Sequence, residues 1–344
     1  MKALFIGGTG TISSACAELA LRHGFELTLL NRGATTPSRP AAKDGKEPEV
    51  IKADISDERE AARLLNGRKF DVVADFIAFN TGHVERDLRL FAGRTEQYIF
   101  ISTASAYQKP LSNEIITEST PLANPYWQYS RDKIACEELL VSEYRKSGFP
   151  ITIVRPSHTY GDKAIPVALH GAAGSWQVVD RILRGKPVIV PGDGLTWWTL
   201  THNTDFAKAF VGLMGNVHAI GEAFHITSDE RLTWNSIYGI IGQALGHRAT
   251  LAHVASETLA GFNPDWWGGL MGDKAHSVAF DNTKIKRAVP GYTAAVRFDQ
   301  GARRTLKYLL EHSETQRPDP EFDALCDKIV MEMGNHIGDN RTGD

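Results

Sequence analysis

Short apolar segments with the pattern of buried strands alternate with helix-like segments through the first half of this chain. The strand-like segments span residues 3–6, 26–30, 50–53, 72–78, 98–102 and 151–155. Helix-like segments lie between them, at residues 13–23, 58–65 and 83–91 and within residues 123–144. Buried strands that alternate with helices are typical of parallel βαβ units, in which helices cover both faces of the sheet. The alternation therefore predicts an α/β fold with a doubly wound parallel sheet.

The first strand is joined to the first helix by a glycine-rich turn with the sequence Gly7-Gly8-Thr9-Gly10-Thr11-Ile12-Ser13. Gly7 allows the tight turn, and Gly10 lets the backbone approach a pyrophosphate at the helix N-terminus. Ser13 stands at the third position of the motif, where a small residue allows the helix to pack closely on the strand. The order of strand, turn, helix and second strand indicates a dinucleotide-binding Rossmann domain. We expect the cofactor to be bound by Gly7, Thr9, Gly10, Thr11 and Ile12.

Residues after the second and third strands bear on which dinucleotide is bound. Asn31 and Arg32 end the second strand, where an NAD site usually has Asp or Glu. An arginine here accommodates a 2′-phosphate, so Arg32 favours NADP, whereas Asn31 could hydrogen-bond the ribose of NAD. A solvated surface charge is the alternative role of Arg32. We also expect Asp54 and Ile55 to bind the cofactor, although Asp54 could equally cap the helix that follows.

The length and the distribution of glycine, proline and tryptophan predict a second lobe. A chain of 344 residues is too long for a single small core, and the regular alternation weakens after residue 155. We predict a Rossmann domain over residues 1–160 with a return segment at about 195–220. Residues 161–194 and 221–344 would form a smaller, irregular α/β substrate lobe over the carboxyl ends of the strands. Residues 33–49 are predicted to be an exposed loop, and Asp319 and Pro320 to begin a terminal helix with an apolar stripe.

Charge and composition argue against several classes of protein. The net charge of −3 provides no basic surface for nucleic acid or an anionic membrane. No apolar stretch approaches the length of a membrane span, and residues 3–6 are too short for a signal peptide. The three cysteines and 12 histidines show no metal-ligand or disulfide spacing. We therefore expect a cytoplasmic protein with a small-molecule substrate and without a metal site, a membrane segment or a nucleic-acid partner.

Tyr129 and Lys133 are four residues apart in a segment predicted to be helical. This spacing places both side chains on the same face of a helix, one turn apart. An ammonium group held there would favour the phenolate and lower the pKa of Tyr129 from its usual value of about 10. The phenol could then take a proton from a substrate hydroxyl near neutral pH.

Taken in order along the chain, these motifs resemble the extended short-chain dehydrogenase/reductase family, which includes sugar-nucleotide epimerases and dehydratases. The similar stretches are residues 7–10, 53–54, 101–107, 129–133, 155–161, 192–194, 201–205 and 224–227, so that the resemblance covers most of the chain. Residues 31–33 and 75–79 look most like one branch of the family. That branch contains bacterial proteins described only as epimerase/dehydratase and plastid stem-loop-binding proteins that do not act mainly as enzymes.

The resemblance implies a catalytic triad. Tyr129 would be the acid/base, and Lys133 would hold the nicotinamide ribose and tune Tyr129. Thr103 would hydrogen-bond the reacting oxygen, with Ser102 as the alternative hydroxyl because both residues stand at the end of the same strand. A structural role for Thr103, satisfying the backbone at the strand end, is the competing interpretation.

The resemblance also implies further contacts to the cofactor and the substrate. The cofactor would be lined by the backbone of Phe76, Ile77 and Ala78 and, on the other side of the nicotinamide, by Pro156, Ser157 and His158. Substrate contacts are expected from Ser105, Tyr107, Trp197 and Trp198. Tryptophan faces suit the apolar side of a sugar ring, although packing of an irregular lobe would explain them equally well.

Two departures from the family pattern limit the reaction and the substrate. The family's 4,6-dehydratases carry an Asp-Glu pair after the catalytic hydroxyl residue, where this chain has Ala104 and Ser105. Neither residue can do acid/base work, which argues against elimination. The family usually places an arginine for the substrate diphosphate after the turn at residues 192–194, where this chain has residues 195–198, Leu-Thr-Trp-Trp. The basic residues that could replace it, unless they only form a solvated face, are Arg181, Arg184, Lys186 and Arg287.

These observations lead to an NADP- or NAD-dependent epimerase of a sugar or sugar nucleotide that works through a transient ketone. The first alternative is a reductase or dehydrogenase that releases its product. The second is a nucleic-acid-binding member of the fold without turnover, which the charge of −3 disfavours. The resemblance further implies a homodimer.

Overall fold

A computed structural model of the chain describes residues 1–33 and 46–339. Most of the predicted loop at residues 33–49 therefore lies outside the described residues. Within the described ranges, no helix is long and apolar enough to cross a membrane.

The strands are β1 Lys2–Ile6, β2 Glu26–Asn31, β3 Glu49–Lys52, β4 Phe70–Asp75, β5 Thr95–Ile101, β6 Ile115–Ile116, β7 Ile151–Pro156, β8 His158–Tyr160, β9 Val188–Pro191, β10 Trp197–Trp198, β11 Leu200–His202, β12 Ala223–Ile226, β13 Leu232–Thr233, β14 Leu251–Val254 and β15 Ala279–Phe280. The α-helices are α1 Thr11–Arg22, α2 Glu58–Leu64, α3 Thr81–Phe91, α4 Gln128–Ser147, α5 Trp176–Leu183, α6 Asn203–Leu213, α7 Trp234–Ala244, α8 Ser256–Phe262, α9 Trp266–Gly269, α10 Thr283–Ala288, α11 Phe298–Glu311 and α12 Pro320–Asp339.

Seven parallel strands form the central sheet in the order β12-β7-β5-β4-β1-β2-β3. The chain builds outward from β1 through β2 and β3, and then crosses to β4 on the other side of β1. Phe5 on β1 consequently pairs with Leu29 on β2 and with Ala74 on β4. The order confirms the predicted doubly wound Rossmann fold and opens a crevice where it reverses, beside β1.

Alternate side chains of β1 point to opposite faces of this sheet, and each face has its own apolar core. Ala3 and Phe5 pack with residues of α1 and α6 on one face. Leu4 and Ile6 pack with residues of α2, α3 and α4 on the other face. Burial on both faces explains why the strands have continuous apolar sequences rather than alternating ones.

Two elements differ from the sequence prediction. The strand predicted at residues 72–78 ends at Asp75, because the Asp75 carboxylate accepts a hydrogen bond from the N–H of Ile77 at 2.5 Å and turns the chain out of the sheet. The chain also returns to the central sheet later than predicted, after the segment at about 195–220. β12 lies later in the sequence, in the part assigned to the substrate lobe, yet it pairs with β7 at the edge of the central sheet.

The remaining residues form an irregular α/β lobe that combines short two-stranded ladders with helices. The ladders are β8-β11, β9-β14 and β6-β15, which are parallel, and β10-β13, which is antiparallel. A separate core fills the lobe, and the rings of Trp198 and Trp234 lie within it at a centroid distance of 5.1 Å. Core packing is therefore a demonstrated role for Trp198.

The terminal helix α12 is held to α5 by a cluster of charges. Its predicted cap is confirmed, since Asp319 accepts a hydrogen bond from the N–H of Phe322 at 3.0 Å. Asp323 on α12 pairs with Arg181 at 2.6 Å, Arg184 at 3.1 Å and Lys186 at 3.2 Å. Although burial acts to raise it, hydrogen bonds from these basic groups lower the pKa of Asp323 to about 2.

The same cluster contains three of the four basic residues that were candidates to replace the missing arginine of the diphosphate site. Arg181 is buried rather than solvated, and it pairs with Asp327 as well as Asp323. Arg184 pairs with Asp180 on α5 and Asp323 on α12, and Lys186 pairs with Asp327 on α12. The fourth candidate, Arg287, is an exposed residue on α10. The charges of Arg181, Arg184 and Lys186 therefore serve to hold α12 in place.

We predict that Asp323→Ala lowers the free energy of unfolding by about 2 kcal/mol, because the substitution leaves the buried Arg181 guanidinium short of a carboxylate. Urea unfolding at pH 7 measures the change. Glu332→Ala is the matched control, since Glu332 forms only an exposed pair with Lys328 at 3.9 Å and its loss should cost less than about 0.5 kcal/mol. Equal effects of the two substitutions would contradict the assigned role of the cluster.

Candidate active site

A cavity of about 470 Å³ opens at the carboxyl ends of the strands, where the strand order reverses. Its lining comes from the turn after β1 and from the ends of β2, β3, β4 and β5. The predicted cofactor residues that line it are Gly7, Thr9, Gly10, Thr11, Ile12, Asn31, Arg32, Ile55, Phe76 and Ile77. The cavity thus lies at the place in a doubly wound sheet where a dinucleotide binds.

The glycine turn is held in one conformation by Ser13. The Ser13 hydroxyl donates to the carbonyl of Gly7 at 2.8 Å and accepts from the N–H of Gly10 at 2.9 Å. Gly7 has a φ of +81°, and a Cβ there would lie 2.5 Å from Cγ2 of Ile77. A side chain at Gly7 would therefore be strained and would displace the cavity wall. A backbone turn of this shape, at the start of α1, fits a pyrophosphate group.

Asn31, Arg32 and Asp54 differ in the partners of their side chains and therefore in whether they can contact a cofactor. The Asn31 side-chain oxygen accepts a hydrogen bond from the N–H of Gly8 at 3.1 Å, so that it supports the glycine turn. Arg32 is exposed and lines the cavity. The Asp54 carboxylate accepts hydrogen bonds from the backbone and side chain of Ser56, which lower the pKa of Asp54. Asp54 is therefore a turn residue outside the cavity lining, and the cap of α2 is Asp57.

A buried charge network supports the loop after β4, and sequence reasoning did not identify it. Arg86 on α3 donates to Asp75 at 3.0 Å and to Asp87 at 2.8 Å. Asp87 also accepts a hydrogen bond from the hydroxyl of Tyr98 at 2.6 Å. Burial, together with the charge of Asp75, raises the pKa of Asp87. The sequence signal was Asp75, which follows the apolar residues 72–74 at the end of the strand Phe70–Asp75.

A second cavity of about 350 Å³ lies on the substrate-lobe side of the sheet. It is lined by Thr103, Ala104, Ser105, Trp127, Tyr129, Pro156, Ser157, His158, Trp198, Asp273, Lys274, Val278 and Phe280. The structure therefore brings together the predicted triad residues Tyr129 and Thr103 with several predicted cofactor and substrate contacts. We call this space the catalytic cavity.

Lys133 is buried one turn after Tyr129 on α4. Its ammonium donates to the carbonyl of Ala78 at 2.6 Å and to the carbonyl of Ile101 at 2.7 Å. Burial lowers the pKa of Lys133 to about 8, although the charge of Asp75 opposes the shift. Ala78 itself is buried, and its part in the site is to accept this hydrogen bond.

The pKa of Tyr129 is raised, which corrects the expectation that Lys133 lowers it. Burial is the main cause, a hydrogen bond with Thr103 acts in the opposite direction, and the charge of Asp273 raises the pKa further. The Lys133 ammonium lies 5.9 Å from the centre of the Tyr129 ring and uses its hydrogen bonds on carbonyl groups. Thr103 is therefore the polar group beside the phenol, and its own hydroxyl lies 3.0 Å from that of Ser105.

Ser102 and Tyr107 do not reach the catalytic cavity. The Ser102 hydroxyl donates to the carboxylate of Glu137, which also pairs with Arg155 at 2.6 Å. The hydroxyl of Tyr107 lies 3.1 Å from both Arg155 and His225. All these side chains are buried. Adjacent residues of an extended strand point in opposite directions, which is why Thr103 faces the cavity and Ser102 faces α4.

His158 and Trp198 form one side of the catalytic cavity. Trp198 donates its indole N–H to Nδ1 of His158 at 3.2 Å, which places the imidazole proton on Nε2. Burial lowers the pKa of His158 to about 3, and the charge of Lys274 contributes. Ser157 donates its hydroxyl to the carbonyl of Thr199 at 3.0 Å. Trp197, by contrast, lies outside the cavity lining with a relative exposure of 36%.

Asp273 and Lys274 are cavity residues that sequence reasoning missed. They lie in a π-helical turn, Leu270–Lys274, that is reached more than 100 residues after Tyr129. The positions of the missing Asp-Glu pair are filled as expected, by Ala104 and Ser105 in a short 3₁₀ turn. The Ser105 hydroxyl lies 2.7 Å from that of Ser130. No group of side chains suited to a metal ion is found among the described residues.

A model of the NAD dependent epimerase/dehydratase family matches residues 3–90 and 88–227. This match includes the glycine turn, Thr103, Tyr129, Lys133 and the strands of the central sheet. Solved structures share the fold. The UDP-glucose 4-epimerase of Bifidobacterium longum in complex with NAD+ and UDP superposes with a TM-score of 0.73 at 18% identity, covering 92% of this chain and 100% of that one.

Curated relatives come from several branches. The chloroplast stem-loop binding protein of 41 kDa b from Arabidopsis thaliana is 27% identical, over 71% of this chain and 63% of its own length, so that the chain spans less than two thirds of that relative. The 2'-dehydrokanamycin reductase of Streptomyces kanamyceticus is 24% identical over 76% of this chain and 71% of its own. The UDP-N-acetyl-alpha-D-glucosaminuronate decarboxylase of Bacillus cytotoxicus is 23% identical over 90% and 98%. The resemblance predicted from the motifs is confirmed: the chain belongs to the NAD-dependent epimerase/dehydratase family.

Proposed function

We propose that this protein is an NAD(P)-dependent epimerase of a sugar or sugar nucleotide that oxidises a secondary hydroxyl and then returns the hydride. The observation that carries the proposal is the position of the Tyr129 phenol. It lies beside the Thr103 hydroxyl in the catalytic cavity and one turn from Lys133, whose ammonium donates to Ala78 in the loop after β4 and to Ile101 at the end of β5. The loop after β4 and the end of β5 both contribute to the lining of the cofactor cavity.

The cofactor would be held by residues that fit it. The turn at Gly7 to Ser13 would cradle the pyrophosphate, and a Cβ at Gly7 would fill part of that space. When bound, an oxidised nicotinamide would accept and return a hydride and would add a positive charge. We propose that Arg32, which is exposed at the end of β2, favours the 2′-phosphate of NADP over NAD.

Tyr129 would act as the proton carrier in both directions. The phenolate of Tyr129 would take the proton of the substrate hydroxyl as the carbinol hydride leaves for the nicotinamide, which would leave a ketone. Thr103 would hold the reacting oxygen through its hydroxyl. After the ketone presents its other face, hydride returns to the carbon and Tyr129 returns the proton to the oxygen, so that the configuration is inverted without net oxidation. Elimination is disfavoured because Ala104 and Ser105 carry no carboxylate.

A reductase is the second candidate. A relative described as 2'-dehydrokanamycin reductase aligns over most of this chain, and an NADP-type cavity would suit a reductive direction. The stem-loop binding relative supports a third candidate without turnover, which the net charge of −3 continues to disfavour.

Replacement of the proton carrier provides the first test. We predict that Tyr129→Phe lowers kcat by about 10²- to 10⁴-fold, because the phenyl ring cannot accept or donate a proton. NAD(P) affinity, measured by fluorescence quenching, should change less than about twofold. Tyr144→Phe is the matched control, since Tyr144 lies on the same helix with its side chain at the surface. Activity retained by Tyr129→Phe would refute the proposed base.

Cofactor balance separates the two enzymatic candidates. For an epimerase we predict no net change in absorbance at the reduced-nicotinamide band while NMR shows conversion between two stereoisomers. Assays would use a panel of sugars and sugar nucleotides with NAD+ and NADP+ supplied separately. Consumption of reduced cofactor in proportion to product would instead establish the reductase.

His158 provides a pH-dependent prediction. Its folded pKa of about 3 lies below the usual value of about 6.5, so that between these pH values the unfolded chain binds the extra proton. The contribution of His158 to the free energy of unfolding is therefore complete above pH 6.5 and is lost as the pH falls towards 3. We predict that wild type loses about 2 kcal/mol more stability than His158→Gln between pH 7 and pH 4.5 in urea unfolding. Identical losses in both proteins would show that His158 is protonated in the folded state.

A further inference from the structure

The π-helical turn Leu270–Lys274 is fixed against the 3₁₀ turn Ala104–Ala106, which contains Ser105. The side-chain amide of Asn124 donates to the carbonyl of Gly272 at 2.7 Å and to the carbonyl of Ser105 at 2.8 Å. Gly272 packs so closely that a Cβ there would lie 2.8 Å from Cβ of Trp127. The side chains of Asp273 and Lys274 are thereby presented to the catalytic cavity. π-Helical turns are rare and are frequent at functional sites.

Neither charged side chain of this turn has a partner among the residues that the structure describes. Among residues 1–33 and 46–339, no hydrogen bond or ion pair reaches the carboxylate of Asp273 or the ammonium of Lys274. Both side chains are half-buried, and burial raises the pKa of Asp273 and lowers that of Lys274. A buried polar group without a partner is costly, and such groups need an explanation such as a bound ligand.

The surrounding charges leave an excess of positive charge. Lys109 is buried, its ammonium has no hydrogen-bond partner among the described residues, and its charge acts on Asp273. Burial lowers the pKa of both His158 and His276, so neither imidazole adds a positive charge at neutral pH. Two ammonium groups therefore face one carboxylate.

Lys274 also lies at a junction. It lines the catalytic cavity together with Tyr129, and it lines an adjoining outer cavity of about 580 Å³. The acidic residue of that outer cavity, Asp265, is exposed to solvent, which screens its charge. An anionic group that entered between the two cavities would meet the Lys274 ammonium first.

We propose that Lys274 binds an anionic substituent, a carboxylate or a phosphate, on the substrate ring in the catalytic cavity, and that Asp273 accepts a hydrogen bond from a ring hydroxyl. The assignment of this cavity to the substrate rests on the proposed function. The position differs from residues 195–198, where the sequence pattern led us to look for a basic group. The ligand class is accordingly a monosaccharide unit that carries its own negative charge.

Binding measurements test this pair independently of turnover. Isothermal titration of the full-length Tyr129→Phe protein, saturated with NAD+, would compare D-glucuronate, D-glucose 1-phosphate and D-glucose. We expect at least one anionic sugar to bind about 10-fold more tightly than glucose, since a charged hydrogen bond contributes about 1.5–3 kcal/mol. A preference for glucuronate alone or for the phosphate alone identifies which anion the site takes.

Substitutions in the same background assign the preference to individual side chains. Lys274→Met should abolish the preference for the anionic sugar, whereas Lys274→Arg should retain most of it. Asp273→Asn should weaken the binding of all three sugars by a similar factor. Lys307→Met is the matched control, because Lys307 is a surface lysine with a side-chain exposure of 72%. Unchanged NAD+ affinity shows that each variant is folded.

Three outcomes would overturn the proposal: equal affinity for glucose and both anionic sugars, an anion preference that survives in Lys274→Met, or no measurable binding of any of the three sugars. Failure of the proposed epimerase is a separate result, since it would appear as absence of turnover in wild type while the binding preference remained.

Discussion

The buried pair of Glu137 and Arg155 fixes the geometry on which the candidate active site depends. Glu137 belongs to α4, the helix that carries Tyr129, and Arg155 belongs to β7, which lies between β5 and the edge strand β12. Their charges lie 2.6 Å apart with almost no exposure to solvent. Removal of either partner would leave the other charge buried and uncompensated, which is a large penalty. The pair therefore holds α4 in place on the sheet and keeps the Tyr129 phenol in the catalytic cavity.

A second consequence of this arrangement concerns Lys133. Its ammonium donates to the carbonyl of Ala78, in the loop after β4, and to the carbonyl of Ile101 at the end of β5, so it satisfies two buried backbone acceptors. Phenolate formation at Tyr129 is opposed by burial and by Asp273. The positive charge that a bound oxidised cofactor brings would favour the phenolate, which couples proton removal to the presence of the hydride acceptor.

Local patterns in the sequence predicted much of the fold and part of the site. The glycine turn and the Tyr129–Lys133 spacing are short-range features, and the helix and strand periods determine where their side chains point. Ser102 and Thr103 could not be separated, because the choice between them depends on which face of the strand meets α4. Arg181 looked like a solvated residue because its carboxylate partners lie on α12, far along the chain. Asp273 and Lys274 lie in a turn without periodicity, and only the tertiary fold brings them to Tyr129.

The double hydrogen bond of Asn124 has a consequence for the way in which ligands exchange. One side-chain amide joins Ser105, in the 3₁₀ turn Ala104–Ala106, to Gly272 in the π-helical turn, so a hinged separation of the two turns would have to break the hydrogen bond to Gly272. The adjoining outer cavity also reaches Lys274, and its wall includes the partly exposed Trp266 on the short helix α9. Small local displacements of that wall would admit a ligand while the catalytic side chains kept their relative positions, so that access and chemistry are controlled by different parts of the lobe.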